Sequence, residues 1–296
     1  MAPEEKRAYM ELHLAVFLFG FTAILGDLIQ LSALLLVWWR VLITSGSMAP
    51  WVAPASLWKT MPRLLLWRYA GIGVLVALHW LTFYGAIKLA NASVALICLA
   101  TTSFMTSLLE PFIVGRKFRI YELALGLLII PGMVLVVNSV DVSMLGGIGV
   151  GLLSALLVSV FTAFNKRLVA KASPMQITFI ELFSAWVFLS IVLAVMALLG
   201  YEIGAFWPPR MADWAYLLVL AWLCTNLAYV LSVRALQHIS AFASTLTINL
   251  EPVYGIVLAW LLLNDGQELN PGFYLGCGII IVAVFAYPML RRRGMV

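Results

Sequence analysis

Apolar stretches of about 20 residues recur along almost the whole chain, and they restrict what it can fold into. A helix of about 20 apolar residues crosses the hydrocarbon core of a bilayer, where its backbone polar groups must pair within the helix. The chain is 64% hydrophobic and 10% charged, whereas soluble domains carry about 25% charged residues. The pattern predicts an all-α membrane protein with ten transmembrane helices at residues 12–29, 31–49, 64–88, 92–113, 120–138, 145–168, 174–199, 212–236, 240–263 and 271–290.

The positions of the basic residues predict how these spans are oriented. With the N-terminus in the cytoplasm, most of the 18 Lys and Arg residues fall on the cytoplasmic side, Lys88 and Arg210 fall on the other side, and Arg40 lies inside a span. Loops rich in Lys and Arg stay in the cytoplasm, so we expect a multi-pass protein of the plasma (bacterial inner) membrane with both termini cytoplasmic. The net charge of +5 does not indicate a nucleic-acid partner, because the basic residues are spread over short loops.

The residues that could carry covalent or metal chemistry are dispersed. Three cysteines lie in three separate apolar segments without metal-ligand spacing, so we predict no metal site and no cofactor. An intramembrane enzyme needs a catalytic pair, but the three histidines lie at different depths and no aspartate is in the middle of a span. The sequence therefore predicts that the protein is not an enzyme.

The two halves of the chain resemble each other. Residues 21–23 and 161–163 both read Phe-Thr-Ala, and Arg40 in the second span falls at the place of Glu181 in the seventh. Each half has an odd number of spans and so enters the membrane from the opposite side, which predicts an inverted repeat with a substrate site near the midplane. The predicted repeats are residues 1–140 and 141–296.

A family resemblance rests on several short patterns: Trp39-Arg40 in the second span, Glu181 in the seventh, AIKLANA and ALQHISA at residues 86–92 and 235–241, and Asn264-Asp265 closing the ninth span. Together with the five-span halves, they resemble the drug/metabolite transporter superfamily, most closely its ten-helix EamA-type branch. The resemblance covers essentially the whole chain. It implies a secondary carrier, often an exporter of amino acids or other small metabolites, with a cavity lined by spans 1, 3, 4, 6, 8 and 9. The family commonly has a proline where Ser103 stands, the position that matches Pro252.

The ninth span carries a carboxylate, Glu251, near its middle. Helical spacing places Ser240, Ser244, Thr247, Glu251 and Tyr254 on one face. An acid in hydrocarbon costs roughly 3 kcal/mol at the helix centre, so this face is expected to line a wet or protein-walled cavity. Glu251 is a candidate for binding a substrate ammonium or a coupling proton; the alternative is a neutral or paired acid that holds helices together.

Other spans add polar and aromatic candidates. Aromatic stripes on the third and eighth spans suit a small amphipathic solute but also fit simple packing, and hydroxyls on the fourth span suit either substrate or helix contacts. His79 is either a proton relay or a histidine bonded to a neighbour. Arg40 and Glu181 are predicted as structural charges, and Glu110 as a solvated or gating acid that can reach Arg116. The predicted cavity lining is Glu251, Thr247, Ser244, Tyr254, Thr102, Thr106, His79, Trp80, Tyr84, Trp222, Asn226 and Tyr229.

These observations predict a secondary transporter that moves a small amphipathic metabolite by alternating access. An amino acid is one candidate, export is the expected direction, and a proton is a candidate coupling ion. The expected partners are a small-molecule substrate and the lipid bilayer. The alternatives are a channel-like or lipid-handling protein and a helical scaffold that transports nothing. The sequence leaves open the solute, the coupling ion and whether the protein is a monomer or a dimer.

Overall fold

The computed structural model describes residues 2–137, 142–251, 253–255, 258 and 271–292, and these residues form only helices, turns and short connections. Pro252 and the Asn264-Asp265 pair lie outside the described residues. The α-helices are α1 (Pro3–Leu28), α2 (Ala33–Val52), α3 (Pro54–Thr60), α4 (Arg63–Leu89), α5 (Ala92–Ala100), α6 (Thr102–Glu110), α7 (Ile120–Val137), α8 (Leu145–Leu168), α9 (Pro174–Leu198), α10 (Met211–Ala221), α11 (Ala228–Ala235), α12 (Ala241–Ile248) and α13 (Pro271–Arg292).

Seven segments of the described chain are long and apolar enough to cross a membrane. They correspond to the predicted spans one to four and six to eight, while α7 and α13 occupy the predicted fifth and tenth spans. The seven are Pro3–Leu28, Ala33–Val52, Arg63–Leu89, Val94–Gly115, Leu145–Lys171, Pro174–Leu198 and Met211–Ala235.

Helix boundaries follow local capping chemistry. Ser173 caps α9 by accepting a hydrogen bond from the Gln176 backbone N–H, and the Gln176 side chain accepts one from the Ser173 backbone N–H. Pro174 occupies the first turn of the helix. Asn91 caps α5 by accepting from the Val94 N–H at 2.8 Å. These caps satisfy backbone donors that a helix end otherwise leaves unpaired.

The helices of the two halves pack against each other in matching pairs. The third span (α4) packs on the sixth (α8), and the eighth span (α11) packs on the first (α1), which is the same pairing with the halves exchanged. Small residues allow the closest approaches. A Cβ added at Gly73 of α4 would lie 2.1 Å from the carbonyl oxygen of Glu181 on α9, so the backbones of these two helices are in direct contact.

The helices of the predicted fourth and ninth spans are both interrupted partway along. Thr101 separates α5 from α6, and its N–H bonds to the Cys98 carbonyl three residues back. The ninth span breaks at the matching place, where α12 ends at Ile248 and the Leu250 N–H bonds to Thr247. The fourth span is therefore broken although it has Ser103 in place of the usual proline. Broken helices are tolerated at membrane depth only where protein or a cavity surrounds them.

The eighth span contains a π-helical turn, Trp222–Leu227, between α10 and α11. The Thr225 hydroxyl donates to the Leu220 carbonyl at 2.6 Å, five residues back. Such turns widen the helix locally and occur frequently at functional sites. This one presents the Thr225 hydroxyl and the Cys224 carbonyl to Arg40 on α2.

Candidate functional site

A buried cavity lies between helices of the two halves. Its volume is about 80 Å³. A cavity needs about 10–15 Å³ to hold one water molecule, so this one has room for several. It is narrow in this conformation, and its wall combines aromatic, hydroxyl and charged side chains. The wall consists of Phe19, Thr22, Arg40, His79, Trp80, Phe83, Leu99, Thr102, Val158, Phe161, Thr162, Asn165, Tyr229, Ser232, Val233, Leu236, Ile248 and Glu251.

Glu251 is buried in this wall, and the described residues stabilise its carboxyl group only weakly. Its Oε1 accepts a long hydrogen bond of 3.3 Å from the Thr22 hydroxyl, which also donates to the Phe19 carbonyl at 2.6 Å. Because the hydroxyl has one proton, the shorter bond competes with the longer one. No ion pair found among the described residues includes Glu251. The carboxyl group therefore faces the cavity with one long hydrogen bond among the described residues.

Arg40 also lines the cavity, although the sequence predicts it as a structural charge. Its Nε donates to Thr225 Oγ1 at 2.6 Å and its Nη1 donates to the Tyr84 hydroxyl at 2.8 Å. The guanidinium lies 4.1 Å from the ring centroid of Trp80. All of these partners are neutral, and none of the ion pairs in the described part of the chain involves Arg40. Hydrogen bonds therefore hold the guanidinium in place, but no described carboxylate in direct contact neutralises its charge.

Glu181 is fully buried on α9, next to the cavity. Its Oε2 accepts from the Tyr229 hydroxyl at 2.5 Å and from Asn165 Nδ2 at 3.3 Å. Asn165 and Tyr229 both belong to the cavity wall, so Glu181 is separated from the cavity by a single layer of side chains.

His79 lines the cavity and is bonded to a serine. Its Nδ1 lies 2.8 Å from Ser154 Oγ, and the Ser154 hydroxyl donates to the His79 carbonyl at 3.1 Å. Ser154 has one hydroxyl proton, which goes either to that carbonyl or to Nδ1 of His79, depending on the tautomer of the imidazole ring. The ring also contacts Phe161, with 5.7 Å between centroids.

The cavity brings together five of the residues predicted to line it: Glu251, Thr102, His79, Trp80 and Tyr229. The others lie elsewhere. Tyr84 is bonded to Arg40 behind the wall, Asn226 bonds to Ser47, and Tyr254 packs on Phe17. Thr106 and Thr247 bond to carbonyl groups of their own helices. Ser244 is buried outside the cavity, and Trp222 is 49% exposed.

Several wall residues are not among the predicted lining. They include Thr22, Phe161 and Thr162, which belong to the repeated Phe-Thr-Ala sequence that otherwise serves only as a sign of the repeat. Asn165 and Ser232 are also in the wall. A polar residue at the same place in both halves is the sequence signal that could have identified Thr22 and Thr162.

A cluster of ions joins the halves where α6 meets α12. Glu110 accepts from the backbone N–H groups of Ala241 and Phe242 at 3.0 and 2.8 Å, so it caps α12 together with Ser240. Arg116 bonds to Glu110 at 2.8 Å and also to Glu122. Burial of Arg116 disfavours its charged form, but its hydrogen bonds to Glu110 and Glu122 outweigh burial and raise its pKa. The expected contact of Glu110 with Arg116 is present, but Glu110 is buried rather than solvated.

Comparison with known proteins agrees with this architecture. The model of the EamA-like transporter family matches residues 7–138 and, a second time, residues 145–287. The protein is therefore a membrane transporter of the drug/metabolite type, built from two repeats. It belongs to the EamA-like transporter family.

One solved structure, described only as "Crystal structure of protein", is similar in fold. Its TM-score is 0.72 at 15% sequence identity, and the match covers 97% of this chain and 98% of that chain. No curated protein matches the sequence.

Proposed function

We propose that the protein is a secondary transporter for a small zwitterionic metabolite of the amino-acid type. The observation that carries this proposal is that Arg40 and Glu251 carry opposite charges, form no ion pair among the described residues, and face the same buried cavity. A solute with a carboxylate and an ammonium group supplies both missing partners. Desolvating two fixed charges is costly unless each is paired, so a solute that carries both opposite charges is favoured over one that carries neither.

The wall of the cavity also suits the rest of such a solute. The guanidinium of Arg40 binds a carboxylate through parallel N–H groups, and the Glu251 carboxylate accepts from an ammonium. In the same wall, Trp80, Phe83 and Phe161 offer apolar and aromatic surface for a side chain. In alternating access, the solute reaches this cavity when the halves move apart at one end.

Alternating access is proposed to work through contacts that join the halves at opposite ends. At one end, Glu110 of the first repeat caps α12 of the second. At the other end, Arg210 donates to the Leu28 carbonyl at 2.6 Å, and Asp213 accepts from the Gln30 N–H at 3.3 Å. Opening either end requires its contact to break, and if both broke together the solute path would be open throughout.

The membrane arrangement completes the proposal. Ten spans form two inverted five-helix repeats, residues 1–140 and 141–296, and both termini face the cytoplasm of a bacterial inner membrane. The matched packing of α4 on α8 and of α11 on α1 supports the inversion, and the basic loops support the orientation. The direction of net transport is proposed as export.

Counterflow in proteoliposomes tests the proposal. Vesicles loaded with unlabelled amino acids, their decarboxylated amines, or sugars are diluted into a trace of the labelled compound. We expect saturable counterflow with one or more amino acids and weaker counterflow with the corresponding amines. A channel conducts without counterflow, and a scaffold gives the same signal as empty vesicles, so either result contradicts the proposal.

A further inference from the structure

Among the residues that the structure describes, three buried oxygen atoms on Glu181 and on two residues near it have no hydrogen-bond partner. They are Oε1 of Glu181, Oδ1 of Asn165 and Oγ1 of Thr178, and all three residues are essentially inaccessible to solvent. Thr178 lies one helical turn before Glu181 on α9, and Asn165 is bonded to Glu181 through its Nδ2. The carboxylate and amide oxygens can only accept, whereas the Thr178 hydroxyl can also donate, and none of the three has a partner within the described chain.

The missing partner of such a group is a proton, another cation or a water molecule. A buried carboxylate oxygen without a donor is unfavourable, and an amide oxygen without a donor adds to the cost. A proton on Glu181 Oε1 turns that oxygen into a donor. The nearby acceptor is Oδ1 of Asn165, whose own Nδ2 already donates to Glu181 Oε2 at 3.3 Å. Acid and amide then bond in both directions, which satisfies two of the three unpaired oxygens at once.

We propose that Glu181 is a reversible proton-binding site, paired with the amide of Asn165 when protonated, and that it carries the coupling proton of transport. The coupling part rests on the proposed transport function, whereas proton binding does not. On uptake, a proton from water in the cavity forms one O–H bond with Oε1, and the charge of the carboxyl group changes from −1 to zero. On release, the same bond breaks and the proton returns to water.

A change in the charge of Glu181 affects the cavity through the residues that contact it. Asn165 and Tyr229 contact Glu181 and also line the cavity, so both change their hydrogen bonding when the proton leaves. Tyr69 on α4 also faces Glu181, but its hydroxyl donates to the Leu168 carbonyl at 3.0 Å.

The other charged and titratable groups near this cavity are further along its wall, namely Arg40 on α2, His79 on α4 and Glu251. No ion pair in the described part of the chain involves Glu181. Its proton is therefore not displaced by a fixed cation in direct contact. Glu251, which meets the cavity itself, is left to bind substrate.

Infrared spectroscopy of Glu181→Gln tests the proton site. The glutamine amide can donate to Asn165 Oδ1 and accept from its Nδ2, as the protonated acid does, so the variant is expected to fold. In the purified protein near neutral pH, the carbonyl stretch of a protonated carboxylic acid is expected in wild type and in Glu251→Gln, and missing in Glu181→Gln. In Asn165→Leu the band is expected to shift. A band that persists in Glu181→Gln, or no band in wild type, overturns the proposal.

Transport in proteoliposomes tests the coupling. Accumulation driven by a pH gradient is expected to fall by about tenfold in Glu181→Gln. Counterflow needs no net proton binding, so it is expected to fall less. The matched control is Glu202→Gln, in an exposed loop, which is expected to keep the accumulation. Accumulation that requires sodium rather than a pH gradient overturns the proton assignment. If wild type shows no counterflow, the transport proposal fails while the infrared result still decides the proton site.

Discussion

Asn249 donates a hydrogen bond from its side-chain Nδ2 to the hydroxyl of Ser103 at 2.9 Å. Both residues are buried, and each lies beside the break in its own span, Ser103 after Thr101 and Asn249 after the end of α12. The two interrupted helices, one from each half, therefore join at their breaks. Side chains thus pair with each other where the helices would otherwise present polar groups to lipid.

Ser103→Ala removes the hydrogen bond between Ser103 and Asn249. The Asn249 amide loses its acceptor in a buried place, so we expect the free energy of unfolding to fall by roughly 0.6–2 kcal/mol. Thermal unfolding of the purified protein in detergent measures the change. Ser107→Ala is the matched control, since that hydroxyl bonds only within its own helix, to the Phe104 carbonyl. Equal stability of the two variants contradicts a role for the Asn249 bond.

Gly73→Ala is expected to separate α4 from α9. The new Cβ would lie 2.1 Å from the carbonyl oxygen of Glu181, and a backbone atom cannot rotate away as a side chain can. Overpacking of this kind costs about 1–3 kcal/mol, and it also displaces Glu181 from Asn165 and Tyr229. The measurements are unfolding temperature and transport rate. Gly71→Ala is the control because nothing lies within 4 Å of its Cβ position. Indistinguishable behaviour of the pair shows that α4 and α9 do not depend on this contact.

Arg40→Gln is expected to change which solutes are carried. A charge-assisted hydrogen bond contributes about 1.5–3 kcal/mol, so the affinity for an amino acid should fall by about 10- to 100-fold. The decarboxylated amine lacks the group that Arg40 binds and should lose much less. Competition against labelled counterflow measures both.

The ratio between the two solutes separates substrate binding from general damage. Loss of the buried bonds to Thr225 and Tyr84 weakens both solutes equally, whereas loss of a carboxylate site weakens one of them. Arg63→Gln, at an exposed position, serves as the control. An unchanged ratio in Arg40→Gln removes Arg40 from substrate recognition.

Glu110→Gln weakens the contact between α6 and α12. The carboxylate caps two backbone N–H groups of α12 and lies at its positive end, so we expect a loss of about 1–2 kcal/mol in stability. A change in the transport rate should accompany the loss, because this contact joins the halves. Glu122→Gln is the comparison, since Glu122 also bonds to Arg116 but makes no bond to α12. If both variants behave alike, only the ion pair and not the cap is important.

The spans, the two-fold repetition and the family resemblance were all available from the sequence. Hydropathy over about 20 residues is a local property, and the lipid environment forces each such segment into a helix whatever its neighbours are. The seven described segments that can cross a membrane therefore fall on predicted spans, and the family model matches both repeats. The internal break of the fourth span was not predicted as a structural feature, since Ser103 stands where proline is usual.

Which side chains meet in the cavity was decided by tertiary structure. Trp222, Thr225, Tyr229 and Ser232 share one face only if the eighth span is a regular α-helix, but the π-helical turn at 222–227 changes the register. Tyr229 consequently faces the cavity while Trp222 is exposed, and Thr225 turns to Arg40. Arg40 also illustrates the limit: its sequence position indicates a buried charge, but only the packing of α2 against the third and eighth spans determines that its partners are neutral. Composition sets the depth of a helix in the membrane, whereas its rotation about its own axis is set by the helices packed around it.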